Sequence, residues 1–142
     1  MSKNVKGSCS ALDSFLKVKS YIHDLKIDIV KEDAEGEMLQ VVDENRGIKN
    51  LLLHVSEPIL IIEQIIFENK KDNMMIFKKL LQINRHLVHG ALVLDDDGKY
   101  VIFRDTLQIK NLDLNELEAS INALHLCLVE HGNDLIKFSK GL

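Results

Sequence analysis

The feature that most constrains this chain is the stretch from Phe77 to Leu128. There a helical apolar pattern runs into Gly90, a short apolar run, an Asp-Asp-Asp-Gly turn, a second apolar run and a long repeat of leucines. On a helical wheel Ile76, Leu80, Ile83 and Leu87 form one stripe, and Met74, Phe77, Leu81 and Val88 form another beside it. Together they cover roughly half the circumference, wider than the stripe of about 100° that seats a surface helix on a core. Lys78, Lys79, Gln82, Arg85 and His86 take the opposite side. The spacing therefore predicts a helix over 73–88 that buries one stripe and offers the other to a further surface. Asn84 falls inside the apolar arc, where an unpaired amide would cost about 1–3 kcal/mol. Its side chain is expected to bond backbone groups where the chain turns into the next strand.

Gly90 suits the exit from that helix. Ala91–Leu94 then reads as a strand, Asp95 to Gly98 as a tight turn with Gly98 at positive φ, and Tyr100–Phe103 as the return strand. The three aspartates do not make a calcium loop. With Gly98 at loop position six, the first and last ligand positions would be Val93 and Arg104, where acidic oxygens are required. Asp113, followed by Glu116 three residues on, has the form of a helix cap. From Leu114 through Leu117, Ile121, Leu124, Leu128, His131, Leu135, Phe138 and Leu142 the apolar positions advance by threes and fours. One helix running through Gly132 is expected, because a glycine inside a helix costs only about 1 kcal/mol.

The first half supplies one helix and four strands. Residues 1–9 are expected to be disordered. Ser10 and Asp13 suit a cap, and Leu12, Phe15, Leu16, Ile22 and Leu25 stripe a helix to about residue 25. Strands follow over 27–32, 38–42, 48–55 and 59–67, the third ended by Ser56-Glu57-Pro58. The fourth is apolar on both faces, Ile59, Ile61, Ile65 and Phe67 on the odd and Leu60, Ile62 and Ile66 on the even, so helices are expected over one face and a subunit or client over the other. Arg104-Asp105 reads as charge protecting an edge strand, or as a contact that orients a partner. The fold class is α+β, a single domain over 1–142 with an antiparallel sheet and element order α-β-β-β-β-α-β-β-α.

Composition narrows the function. The chain carries 18 basic and 22 acidic side chains, 10 and 12 of them in residues 1–71 and 8 and 10 in 72–142, so neither half is a basic nucleic-acid module. Tryptophan is absent. Two cysteines, Cys9 and Cys127, do not make a disulfide framework and point to a reducing cytoplasm. No apolar run follows the N-terminus, so no signal peptide is expected, and Leu51 to Phe67 is too interrupted for a membrane span. His86 and His89 are close in sequence but lack a third ligand at matched spacing, and no metal site is expected. No nucleophile elbow or phosphate loop is present. Neither a catalytic residue nor a cofactor is expected.

The residues Asn84, Gly90, Leu92, Leu94, Asp95, Gly98, Leu107, Leu112, Asp113 and Leu117 stand in an order that resembles the second half of the type III secretion chaperones of the Tir-chaperone kind and their YbjN-like relatives. The resemblance covers about a third of the chain closely and the rest in element order. It implies a chaperone-like fold, a homodimer, and passive binding of an extended client segment on apolar patches and sheet edges. The excess of apolar residues over one packed face points the same way. Candidate contact residues are Ile62, Ile66, Met74, Met75, Phe77 and Leu81, with Asn84, Gly90, Gly98 and Asp113 in structural roles. The competing expectation is a small-molecule-binding or enzymatic domain with a pocket on the sheet face.

Overall fold

The computed structural model describes residues 13–142 in full and only the backbone of 2–12, which carries the first helix back to Ser2 rather than to the Ser10 cap expected from sequence. The elements are α1 (Ser2–Asp24), β1 (Asp28–Asp33), β2 (Met38–Asp43), a short 3-10 turn (Glu44–Arg46), β3 (Ile48–Ser56), β4 (Ile59–Glu68), α2 (Met74–Asn84), β5 (Ala91–Leu94), β6 (Tyr100–Gln108) and α3 (Leu114–Ser139). This is the α-β-β-β-β-α-β-β-α order expected from sequence. The six strands form one antiparallel sheet in the order β1-β2-β3-β4-β6-β5.

One face of the sheet carries the core. Leu39 and Val41 from β2, Leu51, Leu53 and Val55 from β3, Leu60 and Ile62 from β4, and Val101 and Phe103 from β6 are all buried there. The helices cover this face with Phe15, Val18 and Ile22 of α1 and Leu117, Ile121 and Leu124 of α3. Two of the polar groups under the helices are paired as follows. Ser120 donates to Asp105 at 2.7 Å, and Gln64 accepts from the Lys49 amide at 3.2 Å. Residues directly opposite one another in a ladder share a face, which places Leu52, Glu63, Arg104 and Ala91 together on the other, helix-free side.

α3 runs unbroken through Gly132, capped by Asp113, whose carboxylate accepts from the Glu116 amide at 2.8 Å. Leu135 and Phe138 are buried beyond the glycine, so continuing the helix keeps two large side chains in the core. Lys79 of α2 lies over the Phe138 ring. α2 itself is capped by Asn73, which accepts from the Met75 and Ile76 amides. It ends at Asn84 rather than Val88. The next amides, of Arg85, His86 and Leu87, bond carbonyls three residues back, which tightens the chain out of the helix before Gly90.

Two sequence expectations are corrected here. β6 extends to Gln108, not Phe103, because Ile59 and Leu60 of β4 pair with Gln108 and Leu107. Consequently Arg104-Asp105 does not protect an edge: β6 lies between β4 and β5, and Arg104 pairs with Glu63 at 2.9 Å. β4 also changes phase. A register shift between Ile65 and Phe67 inserts an extra residue, so Phe67 returns to the core although it shares odd parity with the outward-facing Ile61 and Ile65.

Candidate protein-interaction surface

The outer side of α2 is a ridge. Ile76, Leu80 and Ile83 face inward, which leaves Met74, Lys78, Leu81 and Arg85 along the outside at steps of three and four. Met74 is 84% exposed, Leu81 71% and Val88, just past the helix, 82%. Met75 is exposed beside them, and Leu94 is exposed on β5, the strand against which α2 packs. Of the residues singled out in the sequence, Met74, Met75 and Leu81 stand on this ridge. Phe77 is half-buried against the core, as is Ile66 near the β4 bulge. Ile62 is a correction: it is 0% exposed, because the even face of β4 is the one the helices cover, so it cannot contact a partner. Val88 and Leu94 extend the ridge and were not singled out, although Val88 shares a stripe with Leu81.

The end of the ridge nearest Gly90 is pinned by Asn84. Its side chain accepts from the Leu92 amide at 2.7 Å and donates to the Leu92 carbonyl at 3.1 Å. These are the two groups with which an added strand would pair at that point of the β5 edge. Gly90 has φ +74°, and a Cβ there would collide with the Phe103 ring. Gly98 has φ +70° in the β5–β6 turn, where the Asp95 carboxylate accepts from the Lys99 and Tyr100 amides.

The helix-free face of the sheet is the second open surface. Leu52, Ile61, Ile65, Ile102 and Val93 stand on it around the Glu63–Arg104 ion pair. The sequence does not mark it in β3, where the run Leu51-Leu52-Leu53 is uniformly apolar although Leu51 and Leu53 point in and Leu52 points out. Among the described residues no three His, Cys, Asp or Glu side chains come together as metal ligands, and no helix is long and apolar enough to cross a membrane. His86 and His89 are exposed on the connection after α2. Cys127 is buried in α3, and burial, with the nearby Glu130 charge, pushes its thiol up to about 11.

The chain belongs to the CesT/Tir chaperone family: the CesT_Tir_1 family model matches residues 11–141. The fold is similar to that of the HopA1–SchA chaperone–effector complex, with TM-score 0.60 at 15% identity over 82% of this chain and 90% of that one. It is also similar to YbjN from E. coli, with TM-score 0.65 at 11% identity over 84% and 92%. No curated protein is significantly similar in sequence. Identities this low speak for the fold alone.

Proposed function

We propose that this protein is a non-enzymatic, cytoplasmic chaperone-like module that works as a homodimer and holds a segment of a client protein. The observation that carries the reading is the α2 ridge. Met74, Leu81 and Val88 are each more than two-thirds exposed, in a row, and among the described residues Leu142 is the only other large apolar side chain exposed to that degree. Contiguous apolar patches of this kind mark interaction sites. The two methionines suit a surface that adapts to its partner.

In this reading two copies bring their ridges together around a two-fold axis, as isologous interfaces require. Antiparallel pairing about Lys78 sets Met75 of one copy opposite Leu81 of the other. Binding is passive, by apolar contact and by strand addition at the β1 edge, since the amide of Asn84 occupies the β5 edge. The small-molecule alternative is less well supported. The depressions on the open sheet face are spread over all six strands, whereas a ligand pocket is a single concavity on which a few polar groups converge.

Light scattering tests the dimer. The wild type is expected at twice the chain mass of 16.2 kDa at micromolar concentration, and Leu81→Glu at the monomer mass with its fold intact by circular dichroism. A wild type that stays monomeric throughout that range overturns the reading.

A further inference from the structure

The side of α3 turned away from the sheet carries a pattern of its own. Ala119, Asn122, Leu126, Val129, Asn133 and Ile136 follow one another at alternating steps of three and four. Leu117, Leu124 and Leu135, buried in the core, lie on the opposite side of the helix. Leu126, Val129 and Ile136 are each half or more exposed. A narrow stripe at this spacing is the seam of a two-stranded coiled coil, not the broader stripe that seats a helix on its own core.

We propose that this seam pairs antiparallel with the same seam of a second copy of the chain. The pairing goes beyond the reading of the α2 ridge and uses a different helix. The seam is complementary to itself in one register, centred between positions 127 and 128. Leu126 of each copy then meets Val129 of the other, and Ala119 meets Ile136. The two polar positions meet each other, Asn122 against Asn133, so amide faces amide and the apolar layers stay apolar. A slip of one heptad sets Leu126 against Asn122 in one direction and Val129 against Asn133 in the other. Polar residues in a seam fix its register in this way.

Charge favours the same pairing. Glu116 and Lys137 flank the seam, are exposed, and make no ion pair among the described residues. In the centred register Glu116 of each copy lies beside Lys137 of the other, offset by about 3 Å along the axis. The two-fold axis makes this contact twice. The remaining acids on the flanks meet no like charge. Glu130 faces Ala123 of the second copy and stands about 7.5 Å along the axis from the other Glu130. Glu118 faces Ser139 and is already paired with Arg46 at 3.9 Å. A parallel pairing keeps the apolar layers but brings Lys140 against Lys140 and separates Glu116 from Lys137. The seam is short, about 33 Å from 116 to 137, and its amide layers weaken it. It therefore closes at higher concentration than the α2 ridges do.

The test is sedimentation equilibrium of the full chain, from micromolar to millimolar concentration, in a Leu81→Glu background that removes the α2 contact. This protein is expected to pass from monomer to dimer toward millimolar. Val129 is more than half exposed, so Val129→Glu is expected to keep its helix content by circular dichroism and to weaken the association tenfold or more. Glu116→Lys and Lys137→Glu each set like charges together, and each is expected to associate severalfold more weakly alone. Mixed in equal amounts, the two variants restore both attractive pairs and regain the association of the background protein. A chain that stays monomeric to millimolar, or an association indifferent to Val129→Glu, overturns the proposal. So does a mixture no tighter than its components, the result expected of a parallel seam or of another surface. The readout stands apart from the α2 reading. A wild type that is monomeric at micromolar concentration overturns that reading and leaves the monomer-to-dimer step measured here in place.

Discussion

Replacing Asn84 with alanine isolates the group that closes one edge of the sheet. The side chain makes two hydrogen bonds to Leu92, at 2.7 and 3.1 Å. Leu92 is buried, so its amide loses a partner in a place that water reaches poorly. A buried donor left unsatisfied costs about 1–3 kcal/mol, and alanine at a helical position returns roughly 0.5 kcal/mol over asparagine. The net expectation is a loss of about 2 kcal/mol, equivalent to a fall in melting temperature of about 6 °C for a domain of this size. Urea unfolding should show a lower midpoint with an unchanged slope, and hydrogen exchange should show faster exchange of the Leu92 amide ahead of its neighbours on β6. Asn84→Asp sharpens the test. The carboxylate still accepts from the amide but faces the Leu92 carbonyl with a second acceptor, so its cost should shrink below about pH 4, where a protonated acid can donate. An Asn84→Ala protein within about 0.5 kcal/mol of wild type, with Leu92 still protected, would refute the reasoning.

Gly132→Ala should stabilise the protein by about 0.5–1 kcal/mol, since the position is helical and a new Cβ meets nothing within 4 Å; destabilisation in urea would contradict the unbroken helix. Gly90→Ala should cost about 3 kcal/mol, the sum of a positive φ and a collision with Phe103, and a near-neutral melting temperature would count against the geometry of the α2–β5 turn. In a Cys9→Ser background, Cys127 should resist a thiol reagent at pH 8 until denaturant is added, because its thiol sits near 11 rather than 9. A pKa raised on folding stabilises the protein below the ordinary thiol value and is lost as pH climbs through the folded one. Stability should therefore fall between about pH 9 and 11, and less so for Cys127→Ala; identical profiles for the two proteins would refute it.

Much of the fold was legible because local chemistry and long-range packing agreed. The three-four repeat from Leu114 outweighed the local stop signal of Gly132-Asn133, and Asp113 and the Asp95–Gly98 turn announced their caps and bends directly. What could not be read was set by partners distant in sequence. β6 reaches Gln108 only because Ile59 and Leu60 offer a ladder to pair with. Arg104 looked like edge protection until the strand order placed it in the interior beside Glu63. The candidate surface was legible on α2, where one face of a helix must seat on the core and the rest is free. It was misread on β4, which is apolar on both sides. Periodicity cannot say which face the helices take, nor that a bulge returns Phe67 to the core, and so Ile62 was assigned to the wrong side.

The closure of the β5 edge by a side-chain amide has a consequence for how such sheets assemble. A sheet with two free edges has a valence of two: each added strand brings a new edge, and growth from both ends leads to a fibre. Here Asn84 removes one of those valences, and the register shift between Ile29 and Lys31 bends the ladder of the other. The sheet therefore grows on one side only, so a copy of this molecule can end a stack of strands but cannot bridge two. Where extended, unfolded chain is at hand, that arithmetic keeps one molecule from joining two growing stacks.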